Sequence, residues 1–159
     1  MTRGVFLLLL LLNMAGCSTG GGSTPTPAAE SRAAHDDKAA AEDLAEKEKT
    51  APALAWLADS RHALWKGDRS AIKLHFEDLQ RAGIKEIYAV GLEEAEGTQI
   101  CASFVVVLPP PGDEKRKKAI YKHNEFWKAY LGKEASEEDL KEFLVSDEGQ
   151  KYFFYNFDL

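Results

Sequence analysis

The segment Thr98–Leu108 (TQICASFVVVL) is apolar on both faces, and no other feature of the chain restricts its fold as strongly. Ile100, Ala102, Phe104, Val106 and Leu108 line one side of an extended strand, and Cys101, Val105 and Val107 make most of the other. Successive side chains of a strand point to opposite faces, so a strand with one face in water alternates apolar with polar residues. This one does not. Its sheet needs cover on both faces, from helices of the same chain, from a partner or from a ligand.

The flanking segments supply the rest of a sheet. Ile84–Leu92 (IKEIYAVGL) puts Ile87 and Ala89 on one face and Tyr88, Val90 and Leu92 on the other. The polar stretch Glu93–Gly97 then predicts a hairpin with a five-residue loop. Pro109-Pro110-Pro111-Gly112 stops the second strand, because proline brings no donor to a ladder. Lys151–Leu159 (KYFFYNFDL) reads as a third strand, with Phe153, Tyr155, Phe157 and Leu159 on one face.

Helical spacing accounts for the segments between. Leu54, Leu57, Leu64 and Trp65, with Trp56 alongside, predict a helix broken at Gly67-Asp68. Ile72, Phe76 and Leu79 predict a second, capped by Gly83. A third runs to Leu131 with Ile120, Trp127 and Leu131 on its stripe, and Gly132 ends it. Ser136 with Asp139 forms a capping-box pattern that opens a short fourth helix through Leu140, Phe143 and Leu144. The order ααββααβ predicts an α+β domain over residues 51–159, a small three-stranded, mainly antiparallel sheet packed with about four helices. No internal repeat is visible.

The first fifty residues have a different composition. Met1-Thr2-Arg3 is followed by the apolar run Val5–Leu12, which rises only about 12 Å as a helix against a hydrocarbon core of about 30 Å. A positive start, a short apolar run and small residues make a secretory signal rather than a membrane span. Within it Met14-Ala15-Gly16-Cys17 resembles the lipobox of bacterial lipoproteins, with Met14 where that family usually has leucine. The resemblance covers the first 17 residues. It implies removal of residues 1–16 by cleavage between Gly16 and Cys17, diacylglyceryl modification of Cys17, and a lipid membrane as the first partner. In diderm members of the family, a residue such as Ser18 in place of aspartate goes with outer-membrane sorting.

Ser18–Pro27 (STGGGSTPTP) has linker composition. Glu30–Thr50 is rich in Ala, Glu, Asp and Lys, with Leu44 as its only large aliphatic residue, and so reads as a solvated helical spacer. Residues 17–50 are accordingly expected to be a tether, and His35 in it a solvated side chain.

Composition then bounds the function. Residues 51–159 hold all the aromatic residues except Phe6, and carry 15 Lys+Arg against 19 Asp+Glu. That mild acidity argues against a nucleic-acid partner. If Cys17 is lipidated, Cys101 is the only thiol of the mature chain; mid-strand and without a basic neighbour, it reads as a packed small hydrophobe. His62, His75 and His123 fall in no zinc-binding spacing, so no metal and no cofactor is expected, and each reads as an exposed or half-buried helix residue. Lys115-Arg116-Lys117-Lys118 is the one basic cluster and Glu93, Glu94 and Glu96 an acidic hairpin tip; both read as solvated. Trp56, Trp65, Trp127, Tyr152 and Tyr155 are the candidate binding surface, because aromatic side chains dominate pockets and interface hot spots.

The leading expectation is a lipid-anchored extracytoplasmic lipoprotein that displays a non-catalytic binding or scaffolding domain to an envelope protein or polymer. The alternatives are an envelope enzyme whose residues meet only in space, and a structural lipoprotein that self-associates through an uncovered sheet face.

Overall fold

A computed structural model of the chain describes residues 37–132 and 135–157. The expected signal and tether segment before residue 37, with Cys17 and His35, and Leu159 lie outside the described residues. The fold is α+β, as expected, with a larger sheet system than the predicted three strands.

In chain order the elements are a helix α1 over residues 37–45, β1 (Ala51–Pro52), α2 (Ala53–Ala58), β2 (Ala63–Leu64), α3 (Arg69–Arg81), β3 (Ile87–Val90), β4 (Glu93–Ala95), β5 (Thr98–Cys101), β6 (Ser103–Val107), α4 (Glu114–Leu131), α5 (Glu137–Phe143) and β7 (Tyr152–Asn156). A single turn of 3-10 helix, Lys47–Lys49, joins α1 to β1. One sheet has the order β1-β3-β6-β7, all pairs antiparallel. The other has the order β2-β5-β4, with β2 parallel to β5.

The predicted hairpin contributes to both sheets. Ala95 pairs with Thr98, so Glu93–Ala95 is strand and the expected five-residue loop shrinks to Glu96-Gly97. Both residues have positive φ, 53° and 76°, the left-handed pair of a tight hairpin turn whose twist matches that of its strands. At the base Val90 pairs with Ser103, and nearer the tip Glu93 pairs with Ile100. The register is therefore continuous across a gap where Gly91 and Leu92 face Ala102 and Cys101. At that gap the outward groups find other partners: Leu92 N–H donates to Lys49, Trp65 N–H to Cys101, and Phe157 N–H to Ala102.

The helices follow their caps. The Asp68 carboxylate accepts from the N–H groups of Ser70 and Ala71 at the start of α3, and Gly83 ends it in a left-handed conformation, φ 100°. Ser136 and Asp139 make the predicted capping box of α5. The first predicted helix is shorter than its spacing suggested: α2 stops at Ala58, and Ala63–Leu64 is a strand beside β5. Asp59 breaks the run by binding the Arg61 side chain and backbone N–H, which stabilises a turn in place of another helical one.

Both faces of the four-stranded sheet are covered. On one, Ile87, Ala89, Phe104, Val106, Phe153 and Tyr155 join a core with Trp56 and Leu57 of α2, Ile72, Phe76 and Leu79 of α3, and Ala119 and Trp127 of α4. On the other, Val90 and Val105 are closed off by Ala40 of α1, with Leu44, Tyr88, Tyr152 and Phe154 around them. The expectation of a solvated spacer up to residue 50 is thus corrected for residues 37–45. A small residue, Ala40, lets the helix lie close on the strands, and Leu44 one turn on extends the contact. The Asp37 carboxylate then accepts from the N–H groups of Lys151 and Tyr152 at the start of β7. Among the described residues the four-stranded sheet therefore leaves no uncovered face of the kind the self-association alternative invoked.

Candidate functional site

The five aromatic residues singled out from sequence do not share a surface. Trp56 is buried, donating from Nε1 to Gln99 Oε1 at 2.6 Å, stacked on His62 and lying under the Arg69 guanidinium at 5.8 Å. Trp127 is buried against Phe143, Tyr155 and Phe157. Tyr155 is buried as well, Tyr152 sits half-buried beside α1, and Trp65 alone is well exposed, at 57%. The reason is local. Trp56, Trp127 and Tyr155 lie on the inward faces of their elements, where the largest side chains fill the core.

Two of the three histidines, His75 and His123, depart from expectation, whereas His62 has the half-burial expected of it but lies outside a helix. His62 is half-buried, in the turn after α2, with Nδ1 donating to the Trp56 carbonyl at 3.0 Å. His75 of α3 and His123 of α4 are buried and converge on one atom, the Tyr155 hydroxyl oxygen, each at 2.8 Å. Hydrogen-bond logic orders the chain of protons. The Phe143 carbonyl only accepts, so His123 Nε2 carries a proton and donates to it at 3.0 Å. Neutral His123 then accepts at Nδ1 from the tyrosine hydroxyl, whose oxygen accepts from His75 Nε2. Burial drives the His75 pKa down to about 3, with the neighbouring His123 adding to the effect, and drives that of His123 down to about 4. It pushes the Tyr155 hydroxyl far up. All three groups are neutral near pH 7.

Among the described residues no buried side-chain nitrogen or oxygen lacks a partner. His75 also lines a cleft between α3 and α4, of 450 Å³, with Leu74 and Ala71 on one side and Tyr121, Phe126 and Tyr130 on the other. The His75 ring stacks on Phe126 at 4.2 Å. Leu74 and Tyr121 stand on the rims, 58% and 63% exposed. Tyr130 fixes one end of the cleft, because its hydroxyl accepts from the Asp68 N–H where α3 begins. A volume of this size suits a small ligand. Sequence reading missed the cleft. The available signal was a large apolar residue off the buried stripe of each helix, Leu74 beside Ile72, Phe76 and Leu79, and Tyr121 beside Ile120.

A second depression of 580 Å³ continues the cleft along the same helices, and Asp78, Tyr121 and Lys122 line both. Its remaining walls are Arg81, Ala82, Lys117 and Lys118. The Asp78 carboxylate holds Lys122 at 3.2 Å and also binds Arg81. Partial burial opposes ionisation of Asp78, but these two cations outweigh it and lower its pKa. The basic cluster found in the sequence is divided by its helix. Arg116 is buried, donating to Asp147, Gln150 and the Pro109 carbonyl, whereas Lys117 and Lys118 line the depression.

The other candidates are structural. The Cys101 thiol is buried, which raises its pKa to about 11, and it donates to the Ser103 carbonyl at 2.9 Å. Glu93, Glu94 and Glu96 are exposed. Among the described residues no group of three or more His, Cys, Asp or Glu could hold a metal ion, and no helix is long and apolar enough to cross a membrane. No protein-family model, no curated protein and no solved structure matches this chain.

Proposed function

We propose that the chain is a lipid-anchored extracytoplasmic lipoprotein whose α+β domain is a binding module at the bacterial cell envelope. The anchor rests on the register of Val5–Leu12 with Met14-Ala15-Gly16-Cys17. The domain's role rests on one observation, the α3–α4 cleft with exposed apolar rims at Leu74 and Tyr121 and His75 in its lining. Solvent-exposed apolar side chains grouped around a concavity mark binding surfaces. Metabolic labelling with an alkyne fatty acid tests the anchor. The wild-type chain is expected to incorporate label and lose residues 1–16, and Cys17→Ser to do neither; an unlabelled wild-type chain would reject it.

A second reading, an envelope enzyme, is favoured by the convergence of His75 and His123 on Tyr155. Its chemistry would have to pass through His75, the member of that chain that lines the cleft. A hydrolase screen on wild type and His75→Gln separates the two readings, because only the enzyme reading expects an activity that the substitution abolishes.

A further inference from the structure

We infer that the joined α3–α4 groove binds a single-chain amphiphilic phosphate, with its apolar chain on the Leu74, Tyr121 and Phe126 half and its phosphate among Lys118, Lys122 and Arg81. The inference deepens the binding-module reading by naming a ligand class, and it is independent of the lipid anchor.

Three observations carry it. First, the groove is two-sided in chemistry along its length. Its first half presents Leu74, Phe126, Tyr130 and Ala71, its second half Arg81, Lys117 and Lys118, and Asp78, Tyr121 and Lys122 line both. Both acidic residues of the first half are paired, Glu125 with Lys128 at 3.1 Å and Asp78 with Lys122 at 3.2 Å.

Second, the cations of the second half outnumber the carboxylates that neutralise them. Asp78 serves both Lys122 and Arg81, and Glu114 serves Lys117 at 2.7 Å. Lys118 has no ion pair among the described residues. Four cations therefore meet two carboxylates, leaving two positive charges in a concavity on a chain whose net charge is −6. A local excess of this sign on an acidic protein attracts an anion to that place.

Third, the heads are arranged for several oxygens at once. Lys118 and Lys122 are one turn apart on α4, and the shared carboxylate of Asp78 holds Lys122 and Arg81 together across the two helices. A phosphate offers three acceptor oxygens to such a set, and charge-assisted bonds of this kind are the strong ones. The adjoining apolar half would bury a hydrocarbon chain, which selects against a phosphate that has none.

The test is an amide-shift titration of the isotope-labelled full chain with n-octyl phosphate, n-octyl glucoside and inorganic phosphate. Octyl phosphate is expected to saturate, shifting residues 71–82 and 117–130, while each of the other two, lacking head charge or chain, binds at least about tenfold more weakly. Lys118→Glu with Lys122→Glu and, separately, Leu74→Asp are each expected to weaken octyl phosphate by about tenfold or more. These side chains are exposed or half-buried, so the fold is retained and unshifted amides in β6 and β7 confirm it. Inorganic phosphate binding as tightly as octyl phosphate would assign a free-phosphate site and overturn the inference. Octyl glucoside binding as tightly, or variants that bind unchanged, would overturn it as well. Loss of octyl phosphate binding in a chain that still acylates Cys17 would reject the ligand and leave the anchor standing.

Discussion

The two faces of the four-stranded sheet are covered by very different means. One carries α2, α3 and α4, a continuous aromatic core, and a buried His75–Tyr155–His123 chain in which every proton has a place. The other carries α1, whose contribution is Ala40, Leu44 and the Asp37 carboxylate. The first face is closed by interlocking side chains contributed from distant parts of the chain. The second is closed by residues 37–45 of one helix, through the few contacts of Ala40, Leu44 and Asp37. Local stability follows the area and density of burial, so the two faces are expected to open at different free energies.

Replacing Trp127 with alanine should have the largest effect, because a fully buried indole packed against Phe143, Tyr155 and Phe157 leaves a large cavity. A loss of about 3–5 kcal/mol in urea unfolding is expected. An effect no larger than that of a substitution in α1 would break the comparison. Tyr155→Phe keeps the ring and removes the hydroxyl, leaving two buried histidine nitrogens without their partner. About 2–3 kcal/mol is expected, and the double substitution with His123→Leu should recover part of it, since the mismatch is then removed from both sides.

Acid provides the third means. The folded-state pKa values of His75 and His123 lie below the ordinary 6.5. The unfolded chain therefore takes up protons first, and stability present above pH 6.5 is lost as pH falls toward about 4 and then about 3. Between pH 6.5 and 5.5 each histidine should cost about 1 kcal/mol. His123→Gln, read by the same unfolding curves, is expected to flatten that pH dependence; a slope unchanged by the substitution would refute the buried neutral assignment. The smallest effect is predicted for α1. Ala40→Asp places a carboxylate against Val90 and Val105, but the helix can detach to avoid burying it. The global loss is then limited to about 1 kcal/mol, while protease cleavage within residues 37–50 accelerates severalfold. A loss comparable to that of Trp127→Ala would show the two faces to be equally integral.

The same contrast explains what was legible beforehand. The elements of the first face follow strong periodicities: Ile72, Phe76 and Leu79 in α3, the Ser136–Asp139 box of α5, and alternate residues of β6 and β7. Each records its partner in its own spacing. Cover on both faces was legible for the same reason and holds for β6, although the covering element was not legible and Thr98–Ile100 of β5 is only half-buried. Ala40 and Leu44 are too few and too small to make an apolar stripe, so α1 read as solvated spacer. Leu64 and Trp65 continued the helical spacing of Leu54 and Leu57, and only the Asp59–Arg61 turn and the pairing of β2 with β5 reveal the break. The cleft depends on how far apart two helices sit, which no single segment encodes. Histidine burial belongs to the same class, since His75 and His123 are brought together by Tyr155, 80 and 32 residues away.

The hairpin that runs unbroken in register from β3 and β6 into β4 and β5 makes the two sheets share one ribbon. The small sheet has no interior of its own; it is anchored by Cys101, tucked beneath the carbonyls of Val90 and Ser103, by Gln99, which accepts from Trp56, and by Leu64 packed on the core. Its amides therefore owe their solvent protection to the large sheet, and under hydrogen exchange β5 is expected to open in step with β6 while α1 exchanges ahead of both. A single pair of strands thus joins the acidic Glu96-Gly97 tip to the core beneath α2 and α3.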